Sequence, residues 1–151
     1  MIKEFVDAWN ANKDNLENYF RATIQDEYST YCNILKATIE KVINLYLSEN
    51  ARFPMSEGLT LSNVTEIDDG EYQGTLIFLI PFNTYQPDIE DYIVFSVYYG
   101  SCSVCDTLQS IQAMSRTDYW DSLPIEEQVK DYMRLALHMV QNAFYLKEKN
   151  N

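Results

Sequence analysis

"EYQGTLIFLIPFNTYQPDIEDYIVFSVYY" (residues 71–99) decides the fold. It holds two runs of strand length. In the first, 71–80, Tyr72, Leu76, Phe78 and Ile80 alternate with Gln73, Thr75, Ile77 and Leu79, as side chains of a strand alternate between faces. Both sets are rich in apolar groups, so this strand is expected in the middle of a sheet. In the second, 92–99, Ile93, Phe95, Val97 and Tyr99 point one way and Tyr92, Val94, Ser96 and Tyr98 the other. "PFNTYQPDIED" (81–91) between them carries Pro81 and Pro87 and reads as a connection. Upstream, a third run spans about 59–67, with Leu59, Leu61 and Ile67. "DDG" (68–70) then signals a hairpin, because Asp and Gly tolerate the positive φ of tight turns. Short connections favour antiparallel neighbours.

Helical periodicity flanks this meander. Ile2, Phe5, Val6, Trp9, Leu16, Tyr19 and Phe20 recur at helical spacing over 2–24, with the polar "NANKDN" (10–15) leaving open one helix or two. Ser29 or Thr30 is placed to cap a second helix running to about Glu49, whose apolar residues, Ile34 to Leu47, are spread widely enough for burial on more than one side. "NARFP" ends it at Pro54. Val104, Leu108, Ile111 and Met114 mark a short helix, "RTDYWDS" (116–122) a loop, and a last helix begins near Pro124, with Glu126 and Glu127 at its positive end. Val129, Met133, Ala136, Val140 and Phe144 share its face. The expected fold is α+β: one domain, 1–151, with a three-stranded antiparallel sheet flanked by N-terminal and C-terminal helices.

Composition supports a packed core: of 151 residues, 46% are hydrophobic and 14% aromatic. No apolar run approaches the roughly 18–20 residues a bilayer span needs, and "MIKEFVDAWNANKDN" lacks the apolar heart of a secretory signal. Three cysteines without such a signal point to a reducing, cytoplasmic setting.

Net charge is −12, which disfavours direct binding to nucleic acid or anionic membranes, where affinity comes from Lys and Arg. The charge is segregated. Residues 53–115 contain no Lys or Arg and nine acidic residues. Asp68, Asp69, Glu71, Asp88, Glu90 and Asp91 are therefore candidates for a surface that meets a basic protein partner. The plainer alternative is a solvated, edge-protecting face. Asp68, Asp69 and Glu71 lack the spacing of an EF-hand. In "DYWD" (118–121), Tyr119 and Trp120 are candidates for an interface anchor, the alternative being rings folded onto the core.

One short stretch carries chemistry. In "YYGSCSVCDTLQ" (98–109), a strand ends at Gly100, two cysteines stand at C-x-x-C spacing, and Ser103 or Asp106 is placed to cap the next helix. Three readings are open. The turn is a capped helix start in which the cysteines are small buried hydrophobes and Gly100 supplies backbone freedom. Or Cys102 and Cys105 form a redox pair, favoured by a helix N-terminus but opposed by Asp106 next door and by the absence of a βαβ pattern. Or they join Cys32 and His138, the other Cys and the single His of the chain, in a Cys3His zinc site. His138 shares the polar helix face of Asp131, Arg134 and Asn142. No nucleophile elbow, phosphate-binding loop or dinucleotide fingerprint is present, so a non-enzymatic protein without cofactor is expected.

The stretches "GEYQGTLIFLIPFNTYQP", "DYIVFSVYYGSCSVCDTLQ" and "LPIEEQVKDYMRLALHMVQN" resemble a group of small uncharacterised proteins of tailed phages and prophages, mostly from Firmicutes. The likeness covers about residues 70–142. It is carried by Tyr72-Gln73-Gly74, Tyr85-Gln86-Pro87, Gly100-Ser101-Cys102, Cys105-Asp106 and the helix from Glu127 to His138. The group's pattern reads SCSGCD, and this chain has Val104 in place of that glycine. The resemblance implies a phage origin and brings no activity, cofactor or site residue. The expectation is thus a small acidic phage-derived protein in the host cytoplasm. It would act by binding a host or phage protein, one version being an inhibitor of a host defence or nucleic-acid-binding protein. The alternatives are a zinc-binding or thiol-redox protein built on the C-x-x-C turn, and a homo-oligomer.

Overall fold

The computed structural model describes residues 1–23, 25, 29–102, 104–115 and 126–148. Its frame is the sheet that residues 71–99 predict. β2 (Gly74–Pro81) pairs antiparallel with β3 (Tyr92–Tyr99), Gly74 opposite Tyr99 and Pro81 opposite Tyr92. On the other side of β2 lies β1 (Thr65–Asp68), Asp68 opposite Leu76. β1 is shorter than its sequence run, whose Leu59 instead makes one isolated bridge to Phe82.

Four helical stretches precede or follow these strands. α1 (Lys3–Ala22) is one continuous helix across the polar patch. α2 (Tyr31–Thr38), capped by Thr30 Oγ1 on the Asn33 N–H, runs through a π-helical segment, Ile39–Asn44, into α3 (Leu45–Asn50). α4 (Thr107–Ser115) and α5 (Glu126–Gln141) complete the set. Pro124 lies outside the described residues.

One expectation is corrected at the C-terminus. Phe144 does not continue the buried face of α5, which stops at Gln141. Phe144 and Tyr145 form β4 on the outer edge of β3, opposite Val94 and Ile93. The sheet therefore has four strands in the order β1-β2-β3-β4, and the fold class is α+β.

One sheet face is closed by the helices. Phe78, Ile80, Ile93 and Phe95 are fully buried, Phe5 of α1 stacks on Phe95 at 6.1 Å between ring centres, and Phe20 stacks on Tyr132 of α5 at 5.0 Å. Each such side chain contributes roughly 1.5–3 kcal/mol by leaving water. The π-helical segment keeps Ile39, Val42 and Ile43 buried while the Val42 carbonyl accepts from the Asn12 side chain at 3.1 Å. At its end, Asn44 clamps the following loop. Its Oδ1 accepts the Leu59 N–H at 2.8 Å and its Nδ2 donates to the Leu59 carbonyl at 3.0 Å. Arg21 links α1 to α5 through Glu126 at 2.8 Å. No helix among the described residues is long and apolar enough to cross a membrane.

Candidate functional site: the cysteine turn

β3 delivers the chain to Gly100, and the turn folds back against it. A β-carbon at Gly100 would lie 2.5 Å from the Cys105 carbonyl oxygen and 2.9 Å from the Asp106 nitrogen. Glycine is required here by that close approach, rather than by the backbone freedom the sequence suggests, since φ is outside the left-handed region. The Cys102 carbonyl accepts the N–H groups of Cys105 (3.1 Å) and Asp106 (2.8 Å), which closes the C-x-x-C turn.

Of the two caps the sequence allows, Asp106 makes the cap bond, and Ser103 lies outside the described residues. Asp106 is 3% exposed, and its carboxylate is held by three donors. Oδ2 accepts the Gln109 N–H at 2.8 Å, and Oδ1 accepts the Gly100 N–H at 2.9 Å and the Tyr31 hydroxyl at 2.9 Å. Tyr31 in turn accepts the Leu108 N–H at 3.1 Å. Burial pushes the Tyr31 phenol well above its usual range, so it stays a donor. A buried carboxylate satisfied in this way ties β3, the turn, α4 and α2 together.

The cysteines are not buried hydrophobes. Cys102 and Cys105 are both exposed free thiols, with sulfurs 3.1 Å apart. Cys105 Sγ accepts the Cys102 N–H at 3.3 Å and lies 3.6 Å from the Ser101 hydroxyl. The Cys102 thiol, the Ser101 hydroxyl and the Cys102 N–H, in that order of effect, hold the Cys105 thiol down at about 7. The expected opposition from Asp106 does not arise, because its carboxylate is turned inward onto its three donors. Nor does the start of α4 serve the thiolate. The Leu108 and Gln109 N–H groups are taken by Tyr31 and Asp106, and the thiolate donors come from the turn itself.

Cys105 also lines a cleft of about 530 Å³ between β3, α4 and α5. Tyr98, Ser110, Arg134, His138 and Met139 line it too, and Arg134 is paired with Asp131 at 2.9 Å. Val104, 93% exposed, stands at its rim.

The four proposed zinc ligands are not gathered. Among the described residues, no three His, Cys, Asp or Glu side chains form a group that could hold a metal ion. Cys32 sits on α2, half-buried against the hydrophobic core, and burial raises its thiol. His138 is exposed on α5, across the cleft from the turn.

The six acidic candidates divide between the two ends of the sheet. Asp68, Asp69 and Glu71 lie at the end where β3 leaves for the cysteine turn, and Asp88, Glu90 and Asp91 at the other, an eight-residue strand away. That is about 23 Å at the usual strand rise. Most of them also work locally. Asp68 Oδ1 accepts from Tyr99 Oη at 2.6 Å and from the Gly70 N–H at 2.9 Å, which lowers its carboxyl, and the bond to Asp68 is the main cause that raises the Tyr99 phenol to about 12. Asp69 accepts the Thr75 N–H at 2.6 Å. Asp88 and Asp91 form a reciprocal capping box, and Glu90 lies 3.8 Å from Lys147. Tyr119 and Trp120 are outside the described residues.

Comparison with protein-family models, with characterised proteins and with solved structures finds no match to this chain. The residues sequence reasoning missed are Ser101 and Tyr31; His138 was singled out as a metal ligand and Arg134 as its neighbour on a polar face, but neither as lining a cleft with Cys105. The polar face of α5 was the sequence's only sign of that cleft.

Proposed function

We propose that the C-x-x-C turn is a dithiol–disulfide site, at which Cys102 and Cys105 exchange two electrons with the disulfide of a partner molecule. The observation that carries this reading is the placement of two exposed thiols 3.1 Å apart on a braced turn at the mouth of a cleft. A disulfide bond is about 2.05 Å long, so closure asks for a sulfur movement of about 1 Å. Gly100 and Asp106 hold the ends of the turn during that movement. The Cys105 thiol at about 7 supplies a thiolate at neutral pH, the form that attacks disulfides. The electrons balance: the protein dithiol loses two electrons and two protons, and the partner disulfide becomes two thiols.

The test is a redox titration of the whole chain in dithiothreitol buffers of graded ratio, with the thiol state read by mass after acid quenching. A reversible loss of two hydrogens, mapped to Cys102 and Cys105 and abolished by Cys105→Ser, is expected. Thiols that stay reduced across the titration, or that pair only between molecules, overturn the reading.

A further inference from the structure

Resting on that dithiol reading, we infer that the turn has a fixed polarity: Cys105 is the attacking thiol, and Cys102 is the resolving thiol that closes the internal disulfide. Three observations separate the two sulfurs. Cys105 Sγ accepts a backbone N–H, from Cys102, and among the described residues no backbone N–H is donated to Cys102 Sγ. The Ser101 hydroxyl lies by Cys105 Sγ at 3.6 Å. Cys105 lines the 530 Å³ cleft with Tyr98, Arg134 and His138, and Cys102 does not. A partner disulfide entering the cleft therefore meets Cys105.

The sequence of bonds follows. The Cys105 thiolate attacks one sulfur of R–S–S–R′. The new Cys105–S–R bond forms as the partner's S–S bond breaks, and R′S⁻ leaves and takes a proton. Cys102, already 3.1 Å away, then loses its proton and attacks Cys105 Sγ. The Cys102–Cys105 bond forms and RS⁻ departs. This order is the reverse of the one a helix N-terminus would favour, in which the first cysteine of the motif faces the open N–H groups. Here Tyr31 and Asp106 occupy those groups, so the advantage passes to the second cysteine.

The probe is 2-hydroxyethyl disulfide, which is small and uncharged and so insensitive to the −12 net charge. Cys102→Ser keeps a hydroxyl donor beside Cys105. At pH 7 this variant should gain one hydroxyethylthio adduct, mapped to Cys105, and retain it. Cys105→Ser, whose remaining turn thiol lies outside the cleft and lacks the backbone donor, should react at least about threefold more slowly. Wild-type protein quenched early should show the transient adduct on Cys105 and later only the internal disulfide. An adduct on Cys102 in wild-type protein, or equal rates for the two variants, overturns the polarity and leaves the dithiol reading standing. Failure of wild-type protein to close the internal disulfide in dithiothreitol buffer overturns both.

Discussion

Removing the donors that face Cys105 should change the pH dependence of its reactivity in a way that no loss of folding imitates. The perturbation is the double variant Ser101→Ala, Cys102→Ala, which deletes both side-chain donors and keeps the backbone N–H. At pH 7 a thiol titrating at about 7 is half thiolate. Returned to an ordinary value of about 8.5, it is about 3% thiolate, a loss of about fifteenfold. A more basic thiolate is intrinsically more nucleophilic, by about fivefold over 1.5 units. The variant should therefore alkylate about threefold more slowly at pH 7, yet about fivefold faster above pH 9.5, where both are ionised. The two profiles should cross near pH 8, about where those two effects cancel. The assay is iodoacetamide labelling at a series of pH values, resolved by peptide so that Cys32 is counted apart. A wild-type midpoint near 8.5, or a variant profile that overlays the wild type, would refute the reasoning.

Three further outcomes test the frame that holds the turn. Asn44→Ala removes both hydrogen bonds to Leu59 and leaves partly buried backbone groups unpaired. A loss of about 2–3 kcal/mol is expected as a lower urea midpoint at unchanged m-value, and a change below about 0.5 kcal/mol contradicts the clamp. Gly100→Ala places a methyl group against the Cys105 carbonyl. It should cost roughly 1–3 kcal/mol by overpacking and move the alkylation midpoint of Cys105 upward, whereas a neutral result in both measurements would mean the turn has room to spare. Arg21→Ala breaks contacts with Glu17 and Glu126 that are largely solvated and should cost under about 1 kcal/mol, fading further in high salt.

The central strands were legible because residues 74–81 and 92–99 alternate apolar side chains with few interruptions, and the order β1-β2-β3 followed from connections too short for a crossover. β4 was hidden for a physical reason. Phe144 falls four residues after Val140, so helical spacing claims it, and only the end of α5 at Gln141 frees it to pair with β3. In the turn, the cap was readable to within two candidates, because Ser and Asp both accept helix N–H groups. The state of the thiols was not, since cysteine is at home in a core and at a reactive surface alike. The turn that carries them is anchored by Asp106 pointing inward to meet Tyr31, which lies 75 residues away in the chain. The cleft is likewise a tertiary fact. The polar stripe of α5 announces solvent, and the packing of α5 beside α4 and β3 decides what lies across that solvent.

The absence of Lys and Arg from residues 53–115 has a consequence for digestion. The β1–β2 and β2–β3 connections are exposed loop tips of the kind proteases nick first, yet a protease that needs a cationic residue at the cut bond finds none there, folded or unfolded. Trypsin should release β1, β2, β3 and both turn thiols as one long fragment bounded by Arg52 and Arg116, with Cys32 on a separate piece.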